Sequence, residues 1–352
     1  MENWVRGALV GQGSFATVNL AIPSTSTSCS MVVKSCDYSR SDSLKNEKEV
    51  LSRLPECPNI VRLLGDDVTV ENGQTLFNLV FEYASCGNLA DHIKNGFGGD
   101  RDYRYVESDV RFYVRSILRG LQVIHRNGFV HSDIKLQNIL VFQDGTVKIA
   151  DFGLAKKKNS GKGKFSYMGT PMYMSPEVVN GCQGESPADI WALGCAVVEM
   201  VTGKPAWNCS PECDVSALMY RIGTRGETPE VKVGSPELRD FVEKCFVRDP
   251  NERWTAEMLL DHPFVSGFEE SEPRRDCCKV TPSCSPRGPF DFPDRVESPE
   301  FGSWFGSEDD TESLSSLSLT ASCLRNVAGR IAELVCDGLP EWLDSGEWIP
   351  VR

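Results

Sequence analysis

Residues 131–138 read His-Ser-Asp-Ile-Lys-Leu-Gln-Asn, and Asp-Phe-Gly follows at 151–153. Carboxylate and amide oxygens are ligands that Mg²⁺ readily takes in proteins. Transfer of a phosphoryl group from a nucleoside triphosphate needs such ligands, and a further carboxylate that accepts the proton of the attacking hydroxyl. We interpret Asp133 as this proton acceptor and Asn138 and Asp151 as magnesium ligands. Each could be a turn or capping residue on its own, but their joint spacing argues strongly against that alternative.

Two lysines complete this candidate site. Lys135 lies two residues after the proposed proton acceptor and can neutralise charge on the transferred phosphoryl group. Lys34 ends an apolar, strand-like run, and Glu47 follows thirteen residues later on a helix predicted over about 44–54. A buried ammonium needs an anionic partner, and the same lysine can reach the α- and β-phosphates of a nucleotide. Glu49 is an alternative partner, because the apolar periodicity of the helix does not choose between the two glutamates.

A glycine-containing turn lies near the start of the chain. Residues 11–18 read Gly-Gln-Gly-Ser-Phe-Ala-Thr-Val, between two strand-like runs. Glycine lets backbone amides approach phosphate oxygens closely, as they do in loops that cover nucleotides. A dinucleotide-binding loop would open a helix, and a Walker loop would contain Gly-Lys-Ser/Thr, and neither pattern occurs at this turn. A plain hairpin turn is the remaining alternative when this motif is considered alone.

In their order and spacing, these segments resemble the signature set of protein kinases. The resemblance covers about residues 1–268. It is strengthened by Gly-Thr-Pro-Met-Tyr-Met-Ser-Pro-Glu at 169–177, which is similar to the peptide-positioning segment of kinases, and by Arg253. It implies a bilobal kinase fold of class α+β, with a small β-rich N-lobe over 1–83 and a larger α-helical C-lobe over 84–268.

The resemblance also implies that the protein uses ATP and Mg²⁺, with adenine between apolar residues of both lobes. Residues 79–84 resemble the hinge whose backbone groups bind adenine, with Phe81 at the gatekeeper position. Glu177 is implied to pair with Arg253, and Asp189 is implied to hold the backbone of the catalytic loop. The residues implied to bind ATP are Val10, Gly11, Gln12, Gly13, Ser14, Phe15, Ala16, Val18, Val32, Lys34, Glu82, Ala84 and Leu140.

Two residues and three segments narrow the resemblance further. Lys135 and Thr170 match the pattern of Ser/Thr-specific kinases, in which this threonine also positions the peptide substrate. The glycine loop, the serine-containing catalytic loop and Asp-Ile-Trp-Ala-Leu-Gly-Cys at 189–195 resemble plant MAP kinase kinase kinases of the MEKK-like group. This implies phosphorylation of MAP kinase kinases. A short kinase domain followed by an acidic C-terminal tail also resembles the members linked to stress and abscisic acid signalling. Two alternatives stay open: a pseudokinase scaffold that binds cascade partners without phosphotransfer, and a nucleotide-binding regulatory module.

Three residues depart from the kinase pattern. Ala16 replaces the third loop glycine, and Val32 replaces the alanine above adenine and narrows that pocket. Ser132 replaces the arginine that binds an activation-loop phosphate in many kinases. Ser166 is the candidate phosphosite, and we expect the lysines of its loop to be solvated or to face substrate rather than to receive a phosphate. These lysines are Lys156, Lys157, Lys158, Lys162 and Lys164.

The composition is that of a folded, soluble protein, with 40% hydrophobic and 25% charged residues. The net charge of −13 argues against a nucleic-acid partner. The sequence has no apolar run of about 18 residues, so we expect no membrane span and a cytoplasmic location, with a nuclear pool as an alternative. The 14 cysteines are scattered and are expected to be reduced. Cys209 and Cys213 are only a weak zinc signal.

The composition changes near residue 270. Residues 271–352 contain 8 basic and 15 acidic residues and begin with a stretch rich in Ser, Pro and Gly. We therefore expect an acidic, largely disordered tail over 269–352. Leu324, Val327 and Ile331 recur at helical spacing and predict an amphipathic helix over 322–336. This helix is expected to make a partner or autoregulatory contact, and the alternative is simple stabilisation of the kinase domain.

Overall fold

The computed structural model describes residues 4–13, 16–24, 30–95, 106–158, 169–182, 184–207 and 214–267. The first part of the chain consists mainly of strands with one long helix, and the second part is mostly helical. The predicted order of a small strand-rich lobe and a larger helical lobe is confirmed. Several predicted features lie outside the described residues, namely Ser14, Phe15, Lys162, Lys164, Ser166, Cys209, Cys213, the tail and its helix at 322–336.

Five antiparallel strands form one sheet in the N-lobe. Their bounds are β1 (Trp4–Gln12), β2 (Thr17–Pro23), β3 (Met31–Asp37), β4 (Leu63–Glu71) and β5 (Gln74–Glu82). The order across the sheet is β1-β2-β3-β5-β4. Because successive side chains of a strand point to opposite faces, Val33 is buried on one face and Lys34 lies on the other. Helix α1 (Asp42–Arg53) packs against β4 and β5.

A polar network crosses the sheet on the face opposite Lys34. Arg6 of β1 donates to the Glu71 carboxylate of β4 from Nε at 2.8 Å and from Nη2 at 2.9 Å. The same guanidinium donates to Ser35 Oγ at 2.9 Å and to Asn78 Oδ1 at 3.0 Å, on β3 and β5. The hydrogen bonds from Arg6 hold the pKa of the Glu71 carboxyl below its usual range. The side chain of Arg6 on β1 thus links its own strand to β3, β4 and β5.

The C-lobe is built around two long helices, α3 and α5. The helices after α1 in the described ranges are α2 (Leu89–Asn95), α3 (Glu107–Arg126), α4 (Pro176–Val179), α5 (Ser186–Thr202), α6 (Val215–Gly223), α7 (Pro236–Cys245), α8 (Ala256–Leu260) and α9 (Pro263–Ser266). Val110, Val114 and Leu121 follow helical spacing on α3 and are fully buried. Helix α5 has Trp191 at its buried centre and ends at Gly203, whose φ of +67° is typical of a helix C-terminus.

Two short antiparallel strand pairs between α3 and α4 position the candidate site. Strand β6 (Phe129–Val130) pairs with β9 (Lys156–Lys157), and β7 (Ile139–Val141) pairs with β8 (Val147–Ile149). Residues 131–138 therefore connect β6 to β7, and Asp151 follows two residues after β8. The loop before β4 is bonded to β8, because the N–H of Val61 donates to the carbonyl of Ile149 at 2.9 Å.

The described helix boundaries lie close to the predicted ones. The helix predicted over about 44–54 begins at Asp42, and a second helix, which the sequence predicts around 189–202, begins at Ser186. The first prediction starts at the first apolar residue, Leu44, and in the second case Pro187 in the first turn of α5 lets the helix begin earlier. Among the described residues, no helix combines the length and apolar character that a membrane crossing requires.

Candidate active site

The backbone of the catalytic loop is held by one buried carboxylate. Asp189, near the start of α5, accepts hydrogen bonds from the N–H groups of His131 and Ser132, each at 2.9 Å. His125 Nε2 at the end of α3 lies 2.8 Å from the same carboxylate. Burial alone would raise the pKa of Asp189, but these hydrogen bonds hold it below its usual range. The buried carboxylate of Asp189 therefore fixes the backbone of the two residues that precede Asp133.

His131 fixes the turn into the loop as a neutral imidazole. Its Nε2 lies 3.1 Å from the carbonyl of Ala150, and its Nδ1 accepts the N–H of Asp133 at 3.3 Å. Burial lowers the pKa of His131, which favours the uncharged ring. The ring also packs edge-on against Phe152, with centroids 4.8 Å apart. The histidine thus joins the loop of Asp133 to the segment that follows β8.

Asp133 is buried and surrounded by donors. Thr170 Oγ1 donates to its Oδ1 at 2.9 Å, and Asn138 Nδ2 donates to its Oδ2 at 3.0 Å. The ammonium of Lys135 lies 3.0 Å from Oδ2 and 2.8 Å from the hydroxyl of Thr170. A hydroxyl, a carboxylate and a cation therefore meet at one point, which is the chemistry needed to take a proton from an alcohol while charge develops beside it.

The second part of the site joins the two lobes through Lys34. Its ammonium lies 2.7 Å from Glu47 Oε2 on α1 and 2.9 Å from Asp151 Oδ1 after β8. Burial alone would lower the pKa of Lys34, but the two carboxylates outweigh it and raise that pKa. Lys34 therefore stays charged. Glu49, the alternative partner, pairs instead with Arg53 at the helix surface.

The donor set fits a magnesium ion. Asn138 is buried, and its Oδ1 has no hydrogen-bond partner among the described residues. Buried side-chain oxygens are rarely left unpaired, and a cation is one of their usual partners. The other end of the amide is occupied, since Nδ2 donates to the carbonyl and carboxylate of Asp133. Asn138 and Asp151 therefore supply the kind of oxygen ligands that Mg²⁺ takes, and magnesium commonly completes its shell with water and phosphate oxygens.

The hinge presents its backbone rather than its carboxylate. Both carboxylate oxygens of Glu82 bind the ammonium of Lys148, at 2.7 and 2.8 Å, and Oε1 also accepts the N–H of Arg62 at 2.8 Å. Phe81 is buried beside it. The side chain of Glu82 is engaged by Lys148 and its backbone N–H donates to the carbonyl of Arg62 at 3.3 Å, so the predicted adenine contact at this residue is left to its backbone carbonyl.

The described residues of the predicted ATP site lie on strands or short turns. Leu140 is bridged to Asn88 next to the hinge, and the N–H of Gly13 donates to the carbonyl of Ala16 in the turn between β1 and β2. Gln12 is exposed on this turn. The half-buried members are Val10, Gly11, Gly13, Ala16, Val18, Val32, Lys34, Glu82, Ala84 and Leu140.

A fully buried arginine anchors the peptide-positioning segment. Arg253 donates to both oxygens of Glu177, at 2.7 and 2.9 Å, and to the carbonyl of Pro187 at 2.7 Å. Its guanidinium carbon lies 5.2 Å from the ring of Trp191. The peptide-positioning segment, which begins near Thr170, is thus anchored to the C-lobe at Glu177.

Sequence reasoning missed two residues that the geometry brings into the site. His125 supports Asp189, and Lys148 holds the hinge carboxylate. His125 ends a long helix, and a histidine six residues before the catalytic loop was available as a signal. Lys148 gave no such signal, because a lysine alternating with apolar residues on a short strand is typical of a solvated face.

Comparison with known proteins agrees with this geometry. The family described as the protein kinase domain matches residues 4–265. Mitogen-activated protein kinase kinase kinase 20 of Arabidopsis thaliana is 43% identical, with 99% of each chain covered. Mitogen-activated protein kinase kinase kinase 17 of the same plant is 37% identical over 99% of this chain and 92% of its own. Mitogen-activated protein kinase kinase kinase 18 is 40% identical over 76% and 78%.

Proposed function

The chain belongs to the protein kinase family and resembles plant MAP kinase kinase kinases, and from that premise we propose that it phosphorylates serine or threonine of MAP kinase kinases. The support for the substrate is the name shared by the three relatives. The support for the acceptor residue is the pair Lys135 and Thr170, which follows the Ser/Thr-specific pattern. Stress or abscisic acid signalling, and a cytoplasmic location with a nuclear pool, form part of the same proposal and rest on the resemblance alone.

The observation that carries the proposed chemistry is the contact between a hydroxyl and Asp133. In the structure the hydroxyl of Thr170 donates to Asp133 Oδ1. A substrate hydroxyl at this carboxylate would pass its proton to Asp133 while its oxygen forms a bond to the γ-phosphorus and the bond to ADP breaks. Lys135, 3.0 Å from the carboxylate, would stabilise the negative charge of the transferred group.

Lys34, Asn138 and Asp151 would hold the nucleotide end of the reaction. Lys34 is a charged ammonium held between two carboxylates at the lobe junction, which suits it to bind phosphate oxygens. Asn138 and Asp151 would hold Mg²⁺, which when bound neutralises charge on the phosphates. The pseudokinase alternative has no support, because each residue required for phosphotransfer is present and in contact with its partner.

The experiment that tests this function compares wild type with Asp133→Asn in a phosphotransfer assay with ATP, Mg²⁺ and a MAP kinase kinase. We expect Asp133→Asn, and likewise Lys34→Met or Asp151→Asn, to lower turnover at least about a thousandfold, or roughly 4 kcal/mol. Asp144→Asn is the matched control, because Asp144 is exposed in the turn between β7 and β8.

Two results would contradict the proposal at different levels. Turnover close to wild type in Asp133→Asn would overturn the catalytic assignment. If a MAP kinase kinase whose activation-loop serines and threonines are replaced by alanine is phosphorylated as fast as the unchanged one, the substrate proposal is wrong while the kinase activity stands.

A further inference from the structure

Helix α1 faces the segment that carries Asp151. Ser43, Asn46 and Glu47 are three and four residues apart and therefore share one face of the helix. This face meets residues 151–155. A Cβ atom on Gly153 would lie only 2.3 Å from Ser43 Oγ, so the backbone of the segment passes directly against the helix.

Asn46 binds the backbone of this segment through one amide group. Its Nδ2 donates to the carbonyl of Ala155 at 2.8 Å and to that of Gly153 at 3.1 Å, and it lies 3.4 Å from that of Phe152. The carbonyls belong to residues more than 100 positions away in sequence and in the other lobe. Asn46 therefore donates to backbone carbonyls at more than one position of this segment.

Glu47 adds a bond in the opposite sense. Its Oε1 accepts the N–H of Phe152 at 3.1 Å, while its Oε2 binds the ammonium of Lys34. The helix thus donates through Asn46 and accepts through Glu47. The adjacent side chains of Asn46 and Glu47 thus bind both carbonyl and N–H groups of residues 152–155.

This attachment matters because the backbone of Asp151 is in an unfavourable conformation. Its φ is +64°, in the left-handed region that residues other than glycine seldom adopt. Such a residue keeps its conformation only where the surrounding structure holds it. The segment that follows Asp151 is the part of the chain that α1 holds, and Asp151 itself pairs with Lys34 at 2.9 Å.

We propose that Asn46 is a positioning residue that fixes residues 152–155 on α1 and thereby holds the Asp151 carboxylate in place for magnesium and for Lys34. The inference rests on the proposed kinase function of the same site. Asn46 does not touch the reacting atoms. Its effect is on the orientation of the metal ligand.

The test uses two substitutions in the full chain. Asn46→Leu removes the donor while raising helix propensity, so that α1 is not weakened by the change itself. Asn46→Asp keeps the shape and turns an acceptor toward the carbonyls. We expect kcat to fall at least about tenfold in Asn46→Leu and further in Asn46→Asp, and the Mg²⁺ concentration for half-maximal binding of ADP, measured by calorimetry, to rise at least about fivefold. Asn127→Leu is the matched control, because its amide donates only within an exposed turn at the end of α3.

Hydrogen exchange supplies a readout that does not depend on turnover. In both variants the peptide containing 151–158 should exchange faster, while peptides of β3 to β5 keep the wild-type rate. Unchanged exchange at 151–158 and an unchanged Mg²⁺ requirement would overturn the inference, as would faster exchange throughout the N-lobe with a lower melting temperature. If wild type itself transfers no phosphate, the proposed function fails, while exchange and ADP binding still decide the role of Asn46.

Discussion

Ser132 lies next to the proposed proton acceptor Asp133, where many kinases have an arginine. Its φ is +68°, and its hydroxyl is buried without a hydrogen-bond partner in the described part of the chain. Its N–H is bound by Asp189. A serine here cannot form the bidentate, charge-assisted bonds by which an arginine binds phosphate. The catalytic loop is thus held through backbone hydrogen bonds to Asp189, and it has no arginine at position 132 that would pair with a phosphate.

From this follows the first prediction, that activity depends little on phosphorylation of Ser166. We expect unphosphorylated protein to be active and Ser166→Ala to lower turnover less than about tenfold, or roughly 1.4 kcal/mol. The measurement is phosphotransfer after phosphatase treatment, alongside the alanine variant. Complete loss of activity under both conditions would show that a phosphate receptor exists elsewhere.

A second prediction concerns the buried pair of Arg253 and Glu177. Arg253→Met would leave the carboxylate of Glu177 and the carbonyl of Pro187 without their donor, in a site where the arginine side chain is 0% exposed. Removing one partner of a buried ion pair costs about 3–5 kcal/mol. For a domain of this size that corresponds to a melting temperature lower by roughly 10 °C.

The control for this prediction is Arg225→Met, whose side chain is 61% exposed beside Glu227. Exposed pairs contribute at most about 1 kcal/mol. Thermal unfolding followed by circular dichroism compares the two variants. Equal melting temperatures for both variants would mean that the buried pair contributes no more to the free energy of unfolding than the exposed pair does.

At the residue scale, the sequence was a better guide to which residues belong to the site than to which residues pair with each other. The spacing pointed to Lys34 and to two glutamates, and the structure places Glu47 at the lysine while Glu49 faces Arg53. The choice depends on how α1 is rotated against the sheet, which the apolar periodicity of twelve residues does not define closely enough. The contact of Lys34 with Asp151 joins residues 117 apart, and only folding brings these together.

At the element scale, the ion pair of Glu82 and Lys148 joins the two lobes outside the catalytic residues. Glu82 ends β5 and Lys148 is the central residue of β8, with side chains 23% and 15% exposed. The Glu82 carboxylate also holds the N–H of Arg62 before β4. One lysine therefore ties the hinge and the loop before β4 to the strand that leads to Asp151.

We predict that Lys148→Met lowers the free energy of unfolding by about 2 kcal/mol and raises the KM for ATP several-fold. The first effect follows from leaving a partly buried carboxylate without its cation, and the second from losing the contact that orients the hinge backbone. Denaturant unfolding and initial rates at varied ATP measure them. Lys48→Met, which breaks the exposed pair with Asp66, is the control. A KM for ATP no higher than that of the control would contradict the prediction.

Long elements were predictable and short pairings were not. Helices α3 and α5 and the first three strands carry enough apolar periodicity to be found in the sequence. Strand β9 is two lysines, and its pairing with β6 depends on backbone geometry rather than on apolar pattern. In consequence the expectation of a solvated lysine stretch is wrong for Lys158, whose ammonium donates to the carbonyl of His125 at 2.7 Å. That bond caps the end of α3.

At the scale of the whole molecule, helix α9 closes the core of the described residues. Helix α9 ends at Ser266, and Phe264 and Val265 on it are buried against the C-lobe. The core from the N-lobe sheet to this helix is continuous. The sequence predicts a boundary near residue 270 because the composition changes there, from a chain with apolar periodicity to one rich in Ser, Pro, Gly and acidic residues.

The last prediction follows from this closure. Deleting 319–352 should leave the melting temperature within about 2 °C of wild type, since no residue of the described core is removed, and a change of that size corresponds to at most about 1 kcal/mol for a domain of this length. We expect the deletion to change basal turnover or the affinity for a MAP kinase kinase at least threefold, because an acidic tail with an amphipathic segment is suited to partner recognition. Deleting only 337–352, which keeps 322–336, is the matched control and should have the smaller effect. A truncated protein that melts several degrees lower, with turnover and affinity unchanged, would instead assign the tail a purely stabilising role.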